Sequence, residues 1–265
     1  MDILRRSYAP ISAEAWTQID EIARQALAAS LSARRFVNVT GPLGMECASV
    51  ALGRLQVPDG QSRTDVSYGI HQVLPLVESR IPFKLEQWEL DNVGRGAKDI
   101  QLDALVAAAR KIAAFEENAI YHGFAPAGIV GIHAAVTGQP IAIPASATGC
   151  IDAIGDAQVA LVRRGIEGTC TLVASPKLWK LLARNTDGGT LRALIQAQIG
   201  GPVVLSECVT GGLLVSMRGG DLDLTIGQDL AIGYLNHDPK GVSLYLTESF
   251  TFRVIAPEAL VAFSL

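Results

Sequence analysis

Four histidines, His71, His122, His133 and His237, and four cysteines, Cys47, Cys150, Cys170 and Cys208, are the residues of this chain best suited to metal or nucleophilic chemistry. Their spacing supports neither. No two cysteines form a CxxC pair and the histidines share no metal-ligand spacing, so no metal site is expected and the cysteines read as reduced, buried thiols. Glu116 and Glu117 fall on a helical stretch beside Lys111. Neighbours on a helix point about 100° apart, so the two form no acid–base dyad and read as a solvated face. Asp221 and Asp223 share one face of a strand, as paired catalytic or metal carboxylates would, but an exposed strand face is the simpler reading. No GxGxxG, P-loop, GxSxG or HExxH motif is present, and no catalytic residue is assigned. Trp88, in Gln87-Trp88-Glu89-Leu90-Asp91-Asn92, sits where a strand gives way to a polar turn. An indole there suits core or interface packing first and stacking on an aromatic ligand second.

The elements around these residues follow from periodicity. Ser12 caps a helix running to about Leu31, with Trp16, Ile19, Ala23, Ala26 and Leu27 at helical spacing. Residues 36–39 read as a short strand ended by Gly41-Pro42. Asp59-Gly60 marks the turn of a long hairpin too poor in apolar residues to fold alone, which therefore packs on a neighbour. A strand from Leu74 runs toward Trp88. The longest helix follows, with Leu102, Leu105, Val106, Ala109, Ile112, Ala113, Ala119 and Ile120 as its stripe and Gly123 after it. The section from Phe124 to Val215 is rich in Gly and Ala, with a helix over 149–164, a buried strand at 171–174, a helix opening at Ser175-Pro176, an exposed turn at 185–189 and a short helix capped by Thr190. Strands dominate from Pro202: 203–205, 212–217, an alternating stretch from Asp221 through Tyr234, then 242–255 and 260–263. Strands and helices do not alternate regularly, so the class is α+β.

Composition narrows the function. In 265 residues, 49% are hydrophobic and 18% charged, with a mean hydropathy of +0.30. Counting glycine and omitting tyrosine puts the apolar share at about 57%, above the usual 45–50%. Disorder is excluded, and so much apolar side chain calls for a partner surface. Lipid is not expected: prolines, glycines, His122 and His133 interrupt the longest uncharged stretch, and MDILRRSYAP has no apolar region after its arginines. A net charge of −4, without a basic stripe, argues against nucleic acid. The expectation is a cytoplasmic protein that associates with copies of itself.

Several stretches carry a family likeness. Arg5-Arg6-Ser7-Tyr8-Ala9-Pro10, Arg34-Arg35-Phe36-Val37-Asn38-Val39, Gly41-Pro42-Leu43-Gly44, Leu74-Pro75-Leu76-Val77-Glu78, Trp88-Glu89-Leu90-Asp91-Asn92 and Gly165-Ile166-Glu167-Gly168 occur in order along the chain. They are followed by Arg218-Gly219-Gly220-Asp221, Gly227-Gln228-Asp229-Leu230-Ala231-Ile232-Gly233-Tyr234 and Thr247-Glu248-Ser249-Phe250-Thr251-Phe252-Arg253-Val254. End to end, the chain resembles the encapsulin shell proteins, or linocin-like family.

The resemblance implies a Hong Kong 97-type phage capsid fold: a P-domain over 1–44, 74–125 and 218–256, an E-loop over 45–73, and an A-domain over 126–217 and 257–265. It implies a cytoplasmic nanocompartment of about sixty subunits with T=1 symmetry. The shell would enclose a cargo enzyme, a peroxidase, ferritin-like iron oxidase or hemerythrin, captured by its C-terminal targeting peptide. The peptide groove would take Leu31, Arg34 and Asn38 from one side and Asp229, Leu230 and Ala231 from the other. Asn38 stands where many relatives carry Asp. Asn185, Thr186, Asp187, Gly188 and Gly189 would line the five-fold pore, with one carboxylate per copy, passing small ions and metabolites. Trp88 matches a tryptophan beside which some members carry flavin; no other cofactor is implied. A phage or prophage capsid protein enclosing DNA shares the fold, and a peptidase or bacteriocin-like activity is the alternative of a different class.

Overall fold

A computed structural model describes residues 3–59, 66–186 and 189–265, and only the backbone of Thr186. Helix α1 (Ala13–Ser30) begins where Ser12 accepts the Ala15 N–H at 3.2 Å, and it buries Ala15, Ile19 and Ala23. A 3-10 turn at Ala33–Arg35 follows, so Phe36 and Val37 are buried outside any strand and β1 is confined to Asn38–Thr40. Strands β2 (Ser49–Gln56) and β3 (Ile70–Pro75) pair antiparallel as a ribbon that joins no other strand among the described residues. Gly60, half of the expected hairpin turn, lies outside those residues.

Strand β4 (Val77–Glu86) leads directly into helix α2 (Gln87–Gly94), where a polar turn was expected. Its polar residues are spaced for a helix: Gln87 donates to Asp91 one turn on, at 2.9 Å, while Leu90 is the buried anchor. Helix α3 (Asp103–His122) spans twenty residues, about 30 Å. It stops at Gly123, whose φ is 92° and where a Cβ would lie 2.8 Å from the Ile129 carbonyl oxygen, leaving no room for a side chain.

The later half comprises α4 (Ile132–Ala135), β5 (Ile141–Ala142), α5 (Ala147–Arg163), β6 (Cys170–Ala174), α6 (Pro176–Leu182), β7 (Asn185–Thr186), β8 (Gly189–Thr190) and α7 (Leu191–Ile199). Then come β9 (Val203–Leu205), β10 (Gly212–Ser216), β11 (Leu222–Ile226), β12 (Ala231–Asp238), β13 (Gly241–Val254) and β14 (Leu260–Ser264). Ser146, Ser175 and Thr190 cap α5, α6 and α7 through their side-chain oxygens.

Two sheets organise these elements. In the first, β13 is the spine: β4 pairs along one side, while β12 and then β11 follow each other along the other, and β1 adds in parallel outside β11. The alternating stretch expected from 221 to 234 is therefore two strands, interrupted at 227–230. The second sheet has the order β5-β14-β10-β6-β9, with parallel and antiparallel pairs. One apolar core packs α1 and α3 against β4, β12 and β13; another fills the second sheet and its helices; a third joins them through Tyr121, Val173, Phe250 and Phe252. The fold is α+β.

Candidate functional site

The turn after α1 carries Arg34 toward α3 and the first sheet. There its Nε donates to both Glu116 oxygens (2.9 and 3.1 Å), Nη2 donates to Glu116 Oε2 (2.5 Å) and to Glu248, and Nη1 donates to Asp229 Oδ1 (2.9 Å). Glu116 and Glu248 are fully buried. Burial opposes the guanidinium's charge, but Glu116, then Glu248 and Asp229, outweigh it and hold Arg34 firmly protonated. Burial, with the neighbouring Glu116 charge, pushes Glu248 far above the carboxylate range, so it keeps its proton. Beside this cluster Glu117 accepts from the Ala33 N–H at 2.9 Å and from the Ser32 hydroxyl, which also contacts Tyr121 Oη at 2.9 Å. Burial dominates there too and raises Glu117 to about 7.

Glu116 and Glu117 are thus not a solvated face. Glu116 lies three residues after Ala113 and four before Ile120, so it continues the buried stripe of α3. That spacing was the available signal. Their partners, more than eighty residues away, were not legible locally.

A groove of about 440 Å³ opens beside the cluster, between α1 and the start of β12. Leu27, Leu31 and Arg34 line one side, and Asp229, Leu230, Ala231, Ile232 and Leu246 the other; Arg6 and Asp20, paired at 2.7 Å, also line it. The structure brings together five of the six residues expected in the groove. It places Asn38 elsewhere. That residue lies on β1, accepts the Gly220 N–H at 2.6 Å and borders a smaller depression with Arg35 and Met217, because the 3-10 turn separates it from Arg34. Arg34 itself is not poised to take an incoming carboxylate in a fork, since internal carboxylates already occupy most of its donors.

Other expected sites are dispersed. Trp88 stands on the first turn of α2, 72% exposed, with the Arg95 guanidinium 5.6 Å from its ring. This offers one stacking face and one cation; Trp88 lines neither the groove nor the 270 Å³ cavity bordered by Cys47, Arg80 and Gln228. One open face and one cation do not by themselves enclose a flavin ring. Asn185 and Thr186 pair with Thr190 and Gly189 in a short hairpin, while Asp187 and Gly188 lie outside the described residues. Asp221 and Asp223 do not form an exposed face: Asp221 is buried on Arg218 and Asp223 binds Arg253 at 3.0 and 3.1 Å. Cys150 and Cys170 are buried, but Cys47 and Cys208 only partly. Among the described residues, no three His, Cys, Asp or Glu side chains gather to hold a metal, and no helix is long and apolar enough to cross a membrane.

Residues 1–251 match the family model Linocin_M18, described as "Encapsulating protein for peroxidase". The chain is 39% identical to the type 1 encapsulin shell protein of Rhodospirillum rubrum, over 98% of this chain and 96% of that one. It is 37% identical to that of Brevibacterium linens over the whole of both chains. Among solved structures it is similar to a virus-like particle from Pyrococcus furiosus (TM-score 0.65, 17% identity, 92% of this chain and 98% of that one). The capsid of the myophage XM1 gives a TM-score of 0.55 at 12% identity, over 88% of this chain and 92% of that one. These likenesses place the chain among the encapsulin shell proteins, with the Hong Kong 97-type capsid fold: it is a structural shell protein, not an enzyme.

Proposed function

We propose that this chain closes into a T=1 shell of about sixty copies that holds a cargo enzyme by a C-terminal targeting peptide seated in the α1–β12 groove. The observation that carries this reading is the groove itself: apolar walls on α1 and β12, with a charged end at Arg34 and Asp229. The cargo class favoured is a peroxidase, named in the description of the matching family, with a ferritin-like iron protein as the other candidate.

On this reading residues 45–73 act as the E-loop, 1–44, 74–125 and 218–256 as the P-domain, and 126–217 and 257–265 as the A-domain. The β2–β3 ribbon leaves Leu55, Val57, Ile70 and Val73 in water. A two-stranded ribbon is marginal alone, and a neighbouring copy would cover it. The 185–190 hairpin would face a pore that passes small solutes, and Trp88 and Arg95 would meet a flavin only with a second wall from another copy.

Light scattering after size exclusion, with mass spectrometry of copurifying proteins, tests the reading. A particle near 1.7 MDa, about sixty times 28.0 kDa, containing a second protein is expected. A monomer or small oligomer at physiological salt overturns it, and a particle filled with nucleic acid replaces it with a DNA-enclosing capsid.

A further inference from the structure

Two of the four histidines, eleven residues apart and at no ligand spacing of a helix or turn, stand side by side in the fold. His122 is the last residue of α3 and His133 the second of α4. The chain between them closes on itself, with Phe124 and Ile129 exchanging backbone hydrogen bonds at 2.9 and 3.2 Å. Gly131 then lies flat on the end of α3, where a Cβ would fall 2.3 Å from the Gly123 nitrogen and 2.7 Å from the Tyr121 carbonyl oxygen. That approach sets α4 against the last turn of α3, with the two imidazole centres 5.0 Å apart and their planes 31° from parallel. Both residues are exposed. His133 is nevertheless held: its Nε2 lies 2.8 Å from the Cys208 carbonyl oxygen, on the loop between β9 and β10. A carbonyl only accepts, so Nε2 carries a proton and, in the neutral ring, Nδ1 keeps a bare lone pair. Among the described residues none hydrogen-bonds the His122 ring, which is free to turn.

The geometry points to a divalent-cation site at the junction of α3 and α4: His133 Nδ1 and one nitrogen of His122 hold a single zinc-class ion, with water in its remaining positions. An ion about 2.0–2.1 Å from a ring nitrogen sits about 3.2 Å from the ring centre, so two imidazoles sharing it at 90–110° have centres roughly 4.5–5.2 Å apart. The 5.0 Å separation falls within that interval, and the exposed His122 ring turns to aim its lone pair at the point that His133 Nδ1 faces. The His133–Cys208 bond is the second observation. A metal-bound imidazole ordinarily donates its other N–H to a carbonyl or carboxylate, which fixes its tautomer and its aim, and here that bond is already made. The donor set selects the ion. Imidazole nitrogens without a carboxylate or thiolate suit Zn²⁺, Ni²⁺ and Cu²⁺ and discriminate against Mg²⁺ and Ca²⁺. Glu207, exposed one residue before the Cys208 carbonyl, adds a negative charge to the same loop. The bound ion ties the end of α3 through His133 to the loop between β9 and β10, and so joins the helix of the first sheet to the second sheet. The site is separate from the α1–β12 groove and does not depend on what a shell encloses.

Zinc binding to the purified native protein, in whatever assembly it forms, tests this. The protein is stripped with a chelator, equilibrated with buffered micromolar free Zn²⁺, and its bound metal measured. His122→Ala and His133→Gln are each expected to weaken the tightest binding by at least about tenfold, and the double variant no further than the weaker single one, because both residues hold one ion. Gln at 133 retains an amide donor for the Cys208 carbonyl but has no Nδ1, so a loss of binding there is not a loss of the loop contact. His71→Ala and His237→Ala should change nothing. With Cu²⁺ as a second probe, electron paramagnetic resonance should show two coordinated imidazole nitrogens in the parent and one in either single variant. The proposal is overturned if no zinc binds, if either His122→Ala or His133→Gln binds as the parent does, if His71→Ala or His237→Ala loses as much, or if the parent copper spectrum shows a single imidazole.

Discussion

At the scale of single residues, the dominant feature is how much acid one arginine holds. Arg34 meets three carboxyl groups, two of them fully buried, and such an arrangement depends on every member being present. Arg34→Ala leaves the fully buried Glu116 and Glu248 without their guanidinium partner, and a loss of about 3–5 kcal/mol is expected in denaturant unfolding. Arg34→Lys should recover little, because one ammonium cannot reproduce a planar fork spanning three acceptors. The double change Arg34→Met with Glu116→Gln removes the stranded charge and should be milder than Arg34→Ala. If Arg34→Ala costs less than about 1 kcal/mol, the cluster does not hold this corner together.

Glu117 gives the same region a pH dependence of known sign. Burial raises its folded-state value to about 7 from an ordinary 4.5, so the folded chain holds that proton more tightly than the unfolded one. Its contribution is fully present below about 4.5 and is lost as pH climbs through about 7. Glu248, which keeps its proton in the folded chain across this window but loses it in the unfolded one, adds a slope of the same sign that is common to both proteins and cancels in their difference. Glu117→Gln should therefore lose less stability than the parent chain between pH 4.5 and 8, with a difference of up to about 3 kcal/mol. Parallel unfolding midpoints for the two proteins across that range would contradict this.

At the scale of elements, what was legible in the sequence was what neighbours in sequence decide. Ser12, Ser175-Pro176 and Thr190 each announce a helix because a cap needs only the next three residues. The α2 helix was missed because a polar run after a strand looks like a turn unless the i,i+4 pair Gln87–Asp91 is weighed. The break at 227–230 coincides with a lapse of the alternation at Gly227-Gln228-Asp229, which a reading of one long strand passes over, and the pairing with Ser249 shows the chain stepping out of the ladder there. Of the six residues named from the resemblance, five lie together in the groove between α1 and β12 and Asn38 lies apart on β1, a separation made by the 3-10 turn, which sequence periodicity does not carry. Gly233 tests how β12 holds the N-terminal arm. A Cβ there would lie 2.2 Å from the Tyr245 ring, which is buried, stacked by Arg80 at 4.4 Å and bonded through its hydroxyl to the Ile3 carbonyl at 3.0 Å. Gly233→Ala should cost about 1–3 kcal/mol and loosen the N-terminal arm, read as faster exchange at the Tyr234 amide. Unchanged stability and exchange would show that Tyr245 can swing aside without consequence.

At the scale of the molecule, the apolar excess of the composition becomes a located surface. The interior accounts for three packed cores, yet Leu55 and Val73 on the β2–β3 ribbon remain 54% and 51% exposed. In an isolated chain, charging such positions is nearly neutral, within about 0.5 kcal/mol, because these side chains gain little burial on folding. On the proposed reading the same positions would lie against a neighbour in a closed shell, where an unpaired charge would be desolvated at each repeat of the contact. Leu55→Asp or Val73→Lys should therefore leave the secondary structure and thermal transition of the dissociated chain intact while the particle gives way to small oligomers. The two readouts separate the causes: loss of both would mean that the ribbon supports the fold of its own chain, and retention of the particle would mean that it faces solvent after assembly. Opposite charges distinguish a third case. If Leu55→Asp and Val73→Lys each abolish assembly but a mixture of the two variants restores it, the ribbon meets a ribbon from another copy rather than the body of its neighbour.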